Sequence, residues 1–371
     1  MTVLLRGLCW DHPRCVRPMA AATEAYRRVR PDVRLEWSAR PLAQFNDQPV
    51  DQIAAEYDLI FVDHPTVGSV AGAKSLVPLD TVLDADVLAG IAARSVGGSH
   101  DSYRWDCHLW ALGVDAACQV AAYRADRLPG DVPTTWDEVF ALARAVPGSV
   151  ALPLYPSDAI CTLFSLSAGA ALAAGEEPVW LNRDGADLLV ELAGLVDPSC
   201  YGTNPPTLLD AMAGGPAGGG IAYVPMIFGY ANLSRPPLRF ADVPGVDGRP
   251  RGAVLGGAGL AVSPSSEHVA EAAAFAAWCL RTDTQREVLL PVGGQPADRA
   301  VWDDPTADAL TNGFLSGTRA TMDAAFVRPR EPGWPEFQRD AGRMLVDLLR
   351  TGTTGHQVVS ELTALADRAS A

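Results

Sequence analysis

The stretch DLIFVDHP, residues 58–65, decides the fold. Four apolar residues, Leu59 to Val62, are followed at once by an acid, an imidazole and a proline. A run that short and that apolar reads as a strand buried on both faces, as in a parallel sheet. Working back towards the N-terminus, PVDQIAAEY (49–57) reads as a helix, with Val50, Ile53, Ala54 and Tyr57 at helical spacing. VRLEWSA (33–39) alternates apolar and polar residues as a strand does. RPMAAATEAYRRV (17–29) reads as a helix with Met19, Ala22 and Tyr26 on one face, and Pro31 breaks it. Residues 2–9 read as a strand that runs into WDHPR (10–14). Strand, helix, strand, helix, strand makes an α/β unit with right-handed crossovers. Such sheets bind ligands outside the carboxyl ends of their strands, where WDHPR and VDHP (62–65) both fall.

The chain has 371 residues, 48% hydrophobic and 20% charged, with a net charge of −15. That length exceeds what one core usually holds, so two lobes are expected. The acidic balance argues against nucleic acid as a partner. No apolar run approaches the roughly 20 residues of a membrane span, so insertion is not expected. MTVLLRG enters a strand directly, without the features of a signal peptide. The seven cysteines are an odd number and form no C-x-x-C, which suits a reducing compartment and points to the cytoplasm, or outside the cell if a leader has been trimmed. A monomer is expected.

Further along, residues 103–128 read as two short strands joined by a crossover, and PTTWDEVFALARAV (133–146) opens a helix on a Thr135/Glu138 capping box. Residues 151–172 read as strand, Pro-rich turn and helix; 208–230 as helix, glycine turn (214–220) and strand; 252–264 as a strand pair; and 265–289 as one amphipathic helix. The last 30 residues read as helical.

Four long segments resemble, in order, the extracellular solute-binding proteins of family 1, the maltose- and sugar-binding type that serves ABC transporters. They are YDLIFVDHPTVGSVAGAKSLVPLD (57–80), VPTTWDEVFALARAV (132–146), the Gly-rich strand, helix and G-x-x-P turn of 257–304, and the closing region 328–363. The resemblance implies a two-lobed periplasmic-binding-protein-like fold of type II with a ligand clamped in the interlobe cleft by hinge closure. It implies one lobe from 1–110 and 257–312, a second from 113–254 and 315–371, and hinge crossings near 110–115 and 250–257. An ABC permease would be the partner of an exported copy.

The candidate ligand contacts follow from strand ends and side-chain chemistry. Trp10 either stacks on a sugar or ring face or packs between the lobes. Asp11 either accepts hydroxyl hydrogen bonds or caps a helix beginning near Pro18. His12 and Arg14 suit an anionic group, Arg14 as a bidentate grip, unless its guanidinium is simply solvated. Asp63 and His64 repeat the theme. From the second lobe come Tyr155, Ser157, Tyr223, Phe228 and Tyr230, with core packing as the plain alternative for the aromatics; Arg330 and Trp334 sit where the family adds contacts. Asp106 and His108 in a hairpin extend the Asp-His pattern, but no spacing matches a metal motif, and no metal or cofactor is expected. No G-x-S-x-G, zincin or G-K-[ST] motif occurs, and Gly256, Gly257 and Gly259 read as hinge glycines, not a phosphate cradle. The expected function is a binder of a small polar ligand, anionic or polyhydroxylated. The alternative is a cytosolic enzyme on the same scaffold. There His12 and His64 would move protons, with Asp11 and Asp63 orienting them or holding a metal.

Overall fold

β1 (Val3–Trp10) pairs in parallel with β2 (Val33–Arg40) along its whole length, from Val3 opposite Val33 to Trp10 opposite Arg40. Its other edge takes β3 (Leu59–Val62), also parallel. These strands were followed in a computed structural model that describes residues 2–47, 49–214 and 219–370. Of the glycine turn expected at 214–220, residues 215–218 lie outside the described residues. The chain divides into two compact units, one of Met1–Ala117, Gly256–Leu310 and Arg330–Pro335, the other of Cys118–Leu255, Thr311–Pro329 and Glu336–Ala371.

In the first unit, α1 (Pro13–Val29) starts four residues earlier than the sequence suggests. The chain offers two helix-opening prolines, Pro13 and Pro18, and proline is best tolerated in the first turn. The structure uses Pro13 to open the helix and carries Pro18 inside it. The expected face does turn inward: Met19, Ala22 and Tyr26 are buried, and Tyr26 meets Phe275 edge-on at 5.1 Å. After β2 comes the short α2 (Leu42–Asp47). The helix expected over 49–57 is only a 3-10 turn, Val50–Gln52. Helices α3 (Val67–Ala73) and α4 (Ala85–Arg94) lead to the hairpin β4 (Arg104–Trp105) and β5 (His108–Leu109). Its two-residue turn, Asp106-Cys107, has φ of +48° and +63°, the backbone that primed hairpin turns need.

β6 (Leu112–Arg124) is one 13-residue strand, where two were expected, and the unit boundary after Ala117 falls within it. Its second half belongs to the second unit. The helices there are α5 (Trp136–Ala145), α6 (Pro156–Ala173), α7 (Arg183–Ala193) and α8 (Pro205–Ala213). β7 (Tyr223–Phe228) and β8 (Leu238–Ala241) flank β6, both antiparallel. α6 is the one helix among the described residues with the length and apolarity of a membrane span; 13 of its 18 residues are buried within the protein, as in a core helix. The strand expected at the start of 151–172 reduces to a single bridge between Val150 and Tyr223. Two C-terminal helices, Trp334–Thr351 and Gly355–Ser370, close the chain.

β9 (Leu255–Val262) is a single strand rather than a pair, and it returns to the first unit antiparallel to β3. Its glycines serve close approach. Gly257 has φ of +103°, and a Cβ there would stand 2.2 Å from the Asp115 carbonyl oxygen. α9 (Val269–Cys279) ends ten residues before the expected helix does; Leu280 and Arg281 break it before a second turn runs to Leu289.

Candidate functional site

Three parallel strands of the first unit end together, and their last residues form the candidate site. At the end of β1 the chain does not continue as a loop. Asp11 N–H donates to the Arg40 carbonyl (2.7 Å), and His12 caps α1 by accepting the Arg14 N–H at its Nδ1 (3.1 Å). That bond requires an unprotonated Nδ1, so the neutral ring carries its proton on Nε2. Asp11 is therefore not the cap; its carboxylate is exposed beside the capped turn.

Arg14 is neither solvated nor available as a grip. It is buried, and its Nε and Nη2 engage both oxygens of Asp115, with Nε at 2.8 Å. Burial pushes the Asp115 carboxyl up while the Arg14 guanidinium pulls it down, and burial is the larger influence. A cavity of about 20 Å³ lies over this pair, lined by Trp10, Arg14, Cys15, Phe61, Asp115 and Gln295. It has room for one water and none for a sugar. Trp10 is only 5% exposed and packs on Phe45 (5.3 Å) and edge-on against Phe61 (5.4 Å), inside the first unit.

At the end of β3, Asp63 caps a 3-10 turn by accepting the His64 N–H (2.9 Å). The His64 ring lies inward, 0% exposed, with Nδ1 3.3 Å from the Asp63 carboxylate and the Tyr103 ring edge-on at 6.3 Å. At the end of β2 stands Arg40, which the sequence reading did not single out. It is buried, with Phe45 over its guanidinium, and burial lowers its pKa to about 10. An arginine at the last position of a strand, just before Pro41, was the available signal.

The other first-unit candidates lie elsewhere. Arg330 donates to the carbonyls of Asp101, Ser102 and Arg104 (3.0, 3.2 and 2.9 Å) and so clamps a turn. Its backbone presses on Gly68, where a Cβ would meet the Arg330 carbonyl oxygen at 2.0 Å. His108 pairs through Nδ1 with Asp80 (2.8 Å), not with Asp106. Among the described residues no three His, Cys, Asp or Glu side chains gather as a metal site.

In the second unit, Tyr155 precedes α6 and is 45% exposed. Ser157 donates to Asp158 (3.3 Å), a buried carboxyl that the sequence reading passed over and that burial pushes up to about 7. Tyr223 is a core residue, fully buried, its hydroxyl donating to the Pro133 carbonyl (3.3 Å). It cannot face a solute without unpacking the unit. Phe228 is half-buried at the end of β7, and Tyr230, just beyond, is buried.

Mixed α/β units with a chain that leaves and re-enters each of them define the two-lobed periplasmic-binding-protein class. Solved structures agree. A solute-binding protein of Agrobacterium radiobacter K84 in complex with ribitol superposes with a TM-score of 0.79 at 18% identity, over 99% of this chain and 98% of that one. Maltose-bound MalE3 of T. maritima gives 0.78 at 17%, over 98% and 99%. The GacH receptor of Streptomyces glaucescens, solved unliganded and with acarbose, gives 0.77 at 15%, over 100% and 98%. The family profile of bacterial extracellular solute-binding proteins matches residues 33–312, and the chain belongs to that family. No curated protein matches it by sequence.

Proposed function

We propose that the chain is the solute-binding component of an ABC transporter and takes a small polyhydroxylated solute, a sugar or polyol. The observation that carries this reading is the convergence of Asp11, His12 and Asp63 at the carboxyl ends of β1 and β3, where open α/β sheets bind ligands. Carboxylates that accept from hydroxyls, beside an imidazole, suit a polyhydroxylated solute. The ligands of the structural neighbours, ribitol, maltose and acarbose, are of that chemistry. In the second unit Tyr155, Ser157 and Phe228 remain the candidates, Tyr155 for stacking.

The test is a thermal-shift and calorimetric titration with ribitol, mannitol and maltose at millimolar concentration. A bound solute raises the melting temperature, by about 2.7 kcal/mol of stability at 100 times Kd. Asp11→Ala should weaken binding roughly 10- to 100-fold, the worth of a hydrogen bond to a charged group, and leave the ligand-free melting temperature in place. A flat response to every polyol and sugar would remove the reading; unchanged binding by Asp11→Ala would remove Asp11 from it.

A further inference from the structure

We propose that Arg40 is the anion handle of this binding site, so that the solute is an acidic sugar derivative, a carboxylate carried beside hydroxyls. The inference deepens the solute-binding reading and rests on it. Arg40 is the last residue of β2, directly opposite Trp10 in the parallel register, so it stands at the same sheet edge as Asp11 and His12. Its side chain is 5% exposed. Nη2 donates to the Phe61 carbonyl (3.2 Å), and the Phe45 ring lies over the guanidinium at 5.6 Å. Among the described residues, Nε and Nη1, which between them carry three of the five N–H groups, have no hydrogen-bond partner. Burial, not a neighbouring charge, is the main influence on this guanidinium and lowers its pKa to about 10.

Arg14 makes the contrast within the same unit. It is equally buried, and Asp115 satisfies it. A buried guanidinium with no counter-charge is costly to keep. A carboxylate is the planar two-oxygen partner that an arginine fork accepts best. The solute's carboxylate reaches the fork by turning the Phe45 ring aside, and the hydroxyls then fall to Asp11, His12 and Asp63.

The experiment compares matched pairs, ribitol with D-ribonate and maltose with maltobionate, by calorimetry on the wild type, Arg40→Met and Arg40→Lys, with acetate as a plain-anion control. The wild type should bind the acid of at least one pair roughly 10- to 100-fold more tightly than its neutral partner. Arg40→Met should lose that preference and keep the neutral affinity, and Arg40→Lys should keep part of it. Ligand-free Arg40→Met should also melt above the wild type, because it removes an uncompensated buried charge without changing the volume much. Neutral partners that bind as tightly as their acids overturn this inference and leave the solute-binding reading intact. A preference that survives in Arg40→Met overturns it as well. If Arg40→Met does not fold, an undiminished preference in Arg40→Lys does the same. If no member of either pair binds, both readings fall together.

Discussion

Arg14 and Asp115, 101 positions apart in sequence, occupy each other completely enough that neither is left for a solute. Removing one partner strands a buried charge. Arg14→Met should therefore cost about 3–5 kcal/mol, whereas Arg14→Met with Asp115→Leu should recover most of it, a difference read from urea unfolding midpoints. Asp158 carries the opposite lesson, because it is buried without a cation. Its folded pKa of about 7 lies above the ordinary 3.8, so between these values the folded chain holds a proton that the unfolded chain releases. Stability from this group is present below 3.8 and is lost as the pH rises to about 7. The difference between wild type and Asp158→Asn should follow that fall, and a pH-independent difference would mean that the carboxyl titrates alike in the folded and the unfolded chain. Residue types were legible at this scale, and partners were not. That Arg14 can grip an anion follows from its chemistry; that the anion is Asp115 requires the packing of α1 against β6.

Among the elements, the most legible were those whose ends carry their own signals. Thr135 and Glu138 form the full capping box, Glu138 N–H donating to the Thr135 hydroxyl (3.3 Å) and the Glu138 carboxylate accepting from the Thr135 N–H (3.1 Å). The expected start of that helix is the observed one. Thr135→Ala should cost about 1 kcal/mol, measured as a shift in the denaturation midpoint. Legibility failed where neighbours decide. Val50–Gln52 has helical spacing around it, but Pro49 stands before a turn too short to propagate. β6 reads LGVDAACQVAAYR, alanine-rich and poor in strong strand formers, and pairing with β7 and β8 makes its second half a strand. The start of α1 was misplaced because composition alone cannot tell which of two prolines opens a helix.

For the molecule as a whole, the alternation of strands and helices made the α/β class legible, and the order of segments made the family legible. The return of Arg330–Pro335 to the first unit was not, because nothing in RPREPGWP marks which unit it joins. The distribution of thiols is a property of this scale. Six of the seven cysteines are buried, none of them more than 4% exposed, and Cys107 at the hairpin turn is exposed. A thiol reagent should titrate one group quickly in the native protein and seven in denaturant; two or more fast groups would mean that a unit opens readily. The position of β9 has a consequence for biosynthesis. β3 is fully apolar, and one of its edges is sealed only by β9, which is made more than half the chain later. Throughout that interval the nascent chain presents LIFV as an open, sticky strand edge. The first unit thus cannot close upon itself until most of the protein has left the ribosome.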